Sequence, residues 1–151
     1  MQPAPIDLTL FTAGYQGHNI ETFLDLLISH GVEQLLDVRQ LPFSRTPDFS
    51  KKRLTAHLAG VGIAYTHLAT LGTPKPLRDE VRREHDFPAF FAAMRAIIDA
   101  QPEALGEALE LVRARPSVLL CFEANYAECH RLVVAQAIKQ LAGGACEIVH
   151  L

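Results

Sequence analysis

The sequence predicts an α/β fold: a three-layer sandwich with a mostly parallel sheet of about five strands and helices on both faces. Three observations carry this. Apolar runs of four to six residues alternate with segments whose apolar residues recur at helical spacing. Strands that alternate with helices need right-handed crossovers, and those make neighbouring strands parallel. Polar clusters also fall at the C-terminal ends of three of the runs, the edge where open α/β sheets bind ligands.

The first strand is Leu8–Ala13, stopped by Gly14. Asn19 then caps a helix that places Ile20, Phe23, Leu24 and Leu27 on one face, and Gly31 ends it. Gln34–Val38 is the second strand, followed by a Pro-punctuated loop. Ser50 caps a helix carrying Leu54, Leu58 and Val61, and Ile63–Leu68 is the third strand. Phe90–Ala100 and Ala104–Arg113 are helices divided by Pro102. Val118–Cys121 is the fourth strand, Tyr126–Leu141 a helix, and Glu147–Leu151 the fifth strand. The stretch 69–87 is the one long irregular piece, expected to be a flap or binding loop that is in part open to helix.

Length and composition fit one domain over residues 1–151, long enough to bury roughly two-thirds of its unfolded surface. No apolar run approaches the roughly 18 residues of a membrane span. The start M-Q-P-A-P lacks the basic and hydrophobic regions of a signal peptide. Three irregularly spaced cysteines argue against a disulfide framework and for a reducing, cytoplasmic setting. A homo-oligomer is compatible with all of this. The net charge is −3, yet Arg39–Arg83 carries nine Lys/Arg against three acids. That asymmetry can focus an anion on one face, or be no more than an uneven solvated surface.

Parallel pairing gathers three clusters at one edge: Gly14–His18, Asp37–Arg45 and Cys121–Arg131. With one residue between them, Asp37 and Arg39 point to one side, so Arg39 can grip an anion or close an ion pair with Asp37. Ser44 and Arg45 lie in the loop feeding a helix with Lys51, Lys52 and Arg53 in its first turn, where the helix dipole disfavours cations. Asn125 and Glu128 resemble a capping box, which makes Glu128 structural and sets Cys129 in a first turn where helix amides favour its thiolate. The alternative for Cys129 is a packing thiol, the reading also taken for Cys121 and Cys146. Arg131, opening a helix, suits bidentate binding of phosphate or carboxylate, with Tyr15 and Arg39 opposite it. Glu123 is either a general base or an Arg131 partner, and His130 the matching acid.

The spacings exclude other chemistry. Cys121, Cys129 and His130 could be joined by His18 or His67 around a metal, but no Cys-x-x-Cys or His-x-x-x-His pair exists, so no metal ligand is assigned. Gly14–Gly17 is neither a dinucleotide fingerprint nor a phosphate loop, so no NAD, ATP or other cofactor is expected.

T-A-G-Y-Q-G-H at 12–18, D-V-R-x-x-P-x-S-R at 37–45, Leu71-Gly72 and L-C-F-E-x5-C-H-R at 120–131 together resemble the family of domain of unknown function 488, over nearly the whole chain. The resemblance implies a small α/β protein with no established activity. Its signature residues here are Gly14, Asp37, Arg39, Pro42, Ser44, Gly72, Cys121, Glu123, Cys129, His130 and Arg131. A weaker likeness, in L-L-D-V-R and the strand-Cys-loop-Arg-helix order, is to the rhodanese sulfurtransferases. The gap from Cys121 to Arg131 is too long for their compact loop, and Glu123 puts negative charge where an anion would lie.

Three functions follow as expectations. The first is a small enzyme or binding protein for a phosphorylated or nucleotide-like anionic ligand, held by Tyr15, Arg39, Ser44, Arg45 and Arg131, with Glu123, His130 and Cys129 as catalytic groups. The second is a thiol-dependent enzyme, sulfur-transferring or redox. The third is a nucleic-acid-binding module using the basic Arg39–Arg83 half, poorly supplied with aromatics for stacking.

Overall fold

Five apolar runs pair as one sheet. The structure is a computed structural model that describes residues 8–151, so the Met1–Pro5 reading lies outside the described residues. The strands are β1 (Leu8–Gly14), β2 (Gln34–Asp37), β3 (Ala64–His67), β4 (Ser117–Cys121) and β5 (Cys146–His150). Their order is β3-β2-β4-β1-β5 and every pairing is parallel. β4 is buried at each residue, as its unbroken apolar run requires of a central strand covered on both faces.

Side-chain alternation along β4 divides the core in two. Val118 and Leu120 pack with Leu35 and with α1 (Ile20–Ser29) and α2 (Lys51–Gly60). Leu119 packs on the other face with Leu10, Leu36 and the helices α4 (Phe87–Asp99), α5 (Pro102–Ala114) and α6 (Arg131–Leu141). The chain therefore leaves β1 and β2 toward the α1/α2 layer, but leaves β4 toward α6. β4 lies between two strands that exit to the opposite face. That divergence is the topological switch at which such sheets open a crevice.

Three expectations need correction. Residues 69–87 are mostly regular: a 3₁₀ turn at Ala69–Leu71 and then α3 (Lys75–Glu84), with Leu77 and Val81 against the core. The spacing of Leu77 and Val81 is helical, and Pro74 and Pro76 sit at the helix start, where a missing N–H costs nothing. Ser50 stands at the start of α2 but does not cap it; its hydroxyl donates to Ser44 O and accepts from Ser44 N–H. The helix read as Tyr126–Leu141 is two pieces, a 3₁₀ turn at Tyr126–Glu128 and α6. Asn19 does cap α1, accepting from Thr22 N–H at 2.8 Å.

Two glycines let backbones meet. Gly14, level with Cys121 in the sheet, leaves space into which Glu123 O inserts; a Cβ there would lie 1.7 Å from that oxygen. A Cβ on Gly72 would lie 2.2 Å from Gln40 N. Gly106, inside α5, meets nothing within 4 Å. Gly14→Ala is expected to cost about 3 kcal/mol or more in urea unfolding, the upper range for overpacking against rigid atoms. Gly106→Ala should gain about 0.5–1 kcal/mol by removing helix-interior glycine entropy.

Candidate functional site

β4 does not stop interacting at its last sheet residue. Tyr15 N–H donates to Cys121 O at 3.2 Å, Gln16 N–H to Phe122 O at 2.9 Å, and Ala124 N–H to the Gln16 side chain at 3.1 Å. The β1 and β4 exits are thus laced together over the crevice. Asn125 then accepts from Ala127 N–H at 3.0 Å, an Asx-type bond that caps the short 3₁₀ turn rather than α6. Cys129 is extended, at φ −130° and ψ 139°, and His130 precedes the first residue of α6. Cys129 is therefore outside any helical first turn, and the helix amides expected to favour its thiolate do not frame it.

Arg131 turns inward. It is fully buried, and its guanidinium donates to Glu123 O, to Ala124 O at 3.3 Å and to Thr12 Oγ1 at 3.2 Å. All three partners are neutral oxygens of the loop and of β1. The donors that the sequence assigned to an anion are used inside the protein.

This strap holds the thiols around one imidazole. His130 Nε2 donates to Val38 O at 2.7 Å. A carbonyl only accepts, so that bond fixes the proton on Nε2 and leaves the Nδ1 lone pair of the neutral ring free. Nδ1 faces Cys121 Sγ at 3.5 Å and Cys129 Sγ at 3.9 Å. Glu123 Oε2 lies 3.3 Å from Cys121 Sγ. The two sulfurs and one imidazole nitrogen all fall within 4.8 Å of one another. Cys129 and His130 are 1% and 4% exposed, Cys121 is 6% exposed, and only Glu123 is half-buried toward solvent. Burial, reinforced by the neighbouring Cys121 sulfur, pushes the Cys129 thiol well up. Burial acts to lower the His130 value, but Cys129, the Val38 carbonyl and Glu123 outweigh it and leave the imidazole raised.

Arg39 lies at the end of β2 in a second closed network. Asp37 takes Arg39 Nε at 2.9 Å, Nη2 at 2.7 Å, the Arg39 backbone N–H at 3.1 Å and the Tyr65 hydroxyl at 2.6 Å. Both ionic partners are buried, 6% and 0% exposed. Burial opposes the Arg39 charge, and the Asp37 carboxylate more than compensates, so its pKa is raised. Burial and then Asp37 raise the Tyr65 phenol. Tyr15 stacks on Phe49 at 4.5 Å and meets Arg39 Nη1 at 3.5 Å. Ser44 accepts from Thr46 N–H at 3.0 Å, shaping its own loop. Arg45 is exposed, and among the described residues no hydrogen bond or ion pair ties it to the thiol cluster.

The expected residues thus fall in two groups: Cys121, Glu123, Cys129 and His130 converge, while Arg39, Tyr15, Ser44 and Arg131 each have internal partners. Sequence reading missed Thr12, Tyr65, His150 and the Val38 carbonyl. Tyr65 and His67, alternate residues of the strand beside Asp37, were the available signal, since His67 Nε2 also bonds Arg39 O at 2.7 Å. A backbone carbonyl leaves no sequence trace.

Comparison with known proteins adds a family. A model described as a domain of unknown function, DUF488, matches residues 19–138. No curated protein matches. Among solved structures, a DUF442 protein of Shewanella putrefaciens CN-32 is similar at 20% identity and a TM-score of 0.46, covering 95% of this chain and 68% of that one. At that score the likeness carries no argument about the site.

The Asp37 network makes a direct prediction. Asp37→Asn leaves a buried guanidinium without its counter-charge and is expected to cost about 3–5 kcal/mol in denaturant unfolding. Tyr65→Phe removes one bond from the same carboxylate and should cost about 1 kcal/mol, with some excess because the acceptor is charged.

Proposed function

The chain belongs to the DUF488 family, and from that premise we propose that it is a thiol-dependent protein whose working group is Cys121 Sγ, with His130 as its base. One observation carries the reading: the His130 Nδ1 lone pair, held in place by the Nε2–H bond to Val38 O, is aimed at Cys121 Sγ from 3.5 Å. A nucleophile, a base within reach of it and a third group that orients the base make the arrangement that activates thiols. Proton transfer from Sγ to Nδ1 gives a thiolate beside an imidazolium; Glu123, which the Cys121 thiol also approaches at 3.3 Å, favours the imidazolium and opposes the thiolate. Cys121, at 6% exposure against 1% for Cys129 and 0% for Cys146, is the most accessible of the three sulfurs and terminates a strand at the switch edge. Sulfur transfer and redox chemistry both begin with such a thiolate.

The anionic-ligand reading loses the two guanidiniums on which it chiefly stood. What it keeps is Arg45 with Lys51, Lys52 and Arg53, all exposed. Those cations can attract an anionic substrate toward this end of the sheet without contacting its reacting atom.

In chelator-treated native protein at neutral pH, iodoacetamide should label Cys121 ahead of Cys129 and Cys146, read by peptide mass mapping. His130→Gln should slow Cys121 labelling by about 100-fold or more, the lower range for a positioned base. Equal labelling of all three cysteines only on unfolding would withdraw the reading.

A further inference from the structure

We infer that Cys121, Cys129 and His130 form a binding site for one thiophilic divalent metal ion, with Zn²⁺ the best match, and that Glu123 borders its fourth position. The inference goes beyond the thiol reading above: an ion held by Cys121 Sγ and His130 Nδ1 would occupy the lone pairs which that reading uses, so the two describe the metal-loaded and the metal-free protein. It rests on geometry. Zn–S bonds of about 2.3 Å and Zn–N bonds of about 2.0–2.1 Å set a tetrahedral S···N edge of about 3.6 Å. The two observed Sγ···Nδ1 separations are 3.5 and 3.9 Å, and the Cys121 Sγ···Glu123 Oε2 separation is 3.3 Å. A metal at the centre of this set needs only small side-chain adjustments.

The surroundings fit as well. Histidine ligands of metals regularly donate their other ring N–H to a carbonyl or carboxylate, which fixes the tautomer and keeps the ligating nitrogen bare. His130 does this through Val38 O at 2.7 Å. Two sulfurs and one imidazole are soft and borderline donors, which select zinc-like ions over magnesium or calcium. Ion entry would displace one proton from each thiol to solvent, so two thiolates neutralise the divalent charge in a site with almost no water access. The donors also come from separate pieces of chain: Cys121 from the end of β4, Cys129 from an extended residue and His130 from the start of α6. A bound ion would tie them, and Glu123, on the solvent side, can complete the shell or yield it to water.

Spacing alone argues against this set, because Cys-x7-Cys-His is not a pattern that one turn or hairpin can bring together. The fold does it by returning the chain over the β4 end.

The test uses chelator-stripped full-length protein titrated with Co²⁺ and then Zn²⁺. One equivalent of Co²⁺ should bind with a thiolate-to-cobalt charge-transfer band and the visible bands of a tetrahedral ion, and Zn²⁺ should displace it. Cys121→Ser with Cys129→Ser should abolish the charge-transfer band, and His130→Gln should weaken binding by at least about 100-fold. Cys146→Ser should change nothing, and Glu123→Gln should shift the visible bands while leaving one equivalent bound. No stoichiometric binding by the wild-type chain overturns the inference, and so does a bound ion lacking the thiolate band. Because both outcomes are read on wild-type protein, they do not depend on whether a variant folds. If Co²⁺ does not bind while Cys121 still alkylates ahead of the other cysteines, the metal falls and the thiol reading stands. If Co²⁺ binds through the thiolates while stripped Cys121 is inert to iodoacetamide, the nucleophile falls and the metal site stands.

Discussion

The whole candidate site depends on one buried cation. Arg131 is fully buried, so its guanidinium turns to oxygens inside the protein: the Thr12 hydroxyl and the Glu123 and Ala124 carbonyls of the loop after β4. Satisfying the guanidinium and folding that loop are therefore the same event. Once Glu123 O and Ala124 O are drawn inward, the chain has little freedom left before α6, and Cys129 and His130 arrive where Cys121 already stands. Gly14 makes the approach possible by leaving room for the Glu123 carbonyl. A larger residue there would separate the β1 and β4 exits and release the strap.

The second determinant is topological. β4 sits between β2 and β1 and sends its chain to the other face from both. In many α/β folds this divergence leaves an open crevice for a ligand. Here the crevice is closed by protein: Tyr15 and Gln16 bond across it, and His130 reaches the Val38 carbonyl at the β2 exit. The imidazole thus connects the loop after β4 to β2 as well as to the thiols.

Much of the fold was legible in the sequence because period and punctuation agreed. The five strands were found within a residue or two, and their polar ends were placed at one edge. The failures have local physical causes. The charged, sparsely apolar stretch 75–84 offers only Leu77 and Val81 as a helical signal, and Pro74 and Pro76 stand at its start, where a helix tolerates proline. Asn125 was read as the cap of a long helix although its side chain serves an amide two residues away. The site was legible as a location but not as a partition of roles. Arg39 and Arg131 attract attention as charged residues at a ligand edge, and only burial and hydrogen-bond partners reveal that their charges are spent inside. The convergence of two cysteines and a histidine depends on the path of one irregular loop, which periodicity does not describe.

Thr12 carries a consequence beyond the site. Its buried hydroxyl accepts from Arg131 Nε and, in turn, can donate to His150 Nδ1, whose ring stacks on Tyr126 at 3.7 Å. Burial and the nearby Arg131 lower the His150 pKa, which keeps the imidazole neutral and able to accept that proton. The loop after β4 is thereby joined to β5, the outermost strand beside β1, through both ends of the same short chain of contacts. An edge strand ordinarily frays on its own, because only one neighbour holds its amides. Here the end of β5 is held from a second side as well, by a chain of contacts that runs through Thr12 to the loop beyond β4, so the edge strand and the thiol loop share a side-chain anchor that sheet pairing alone does not give them.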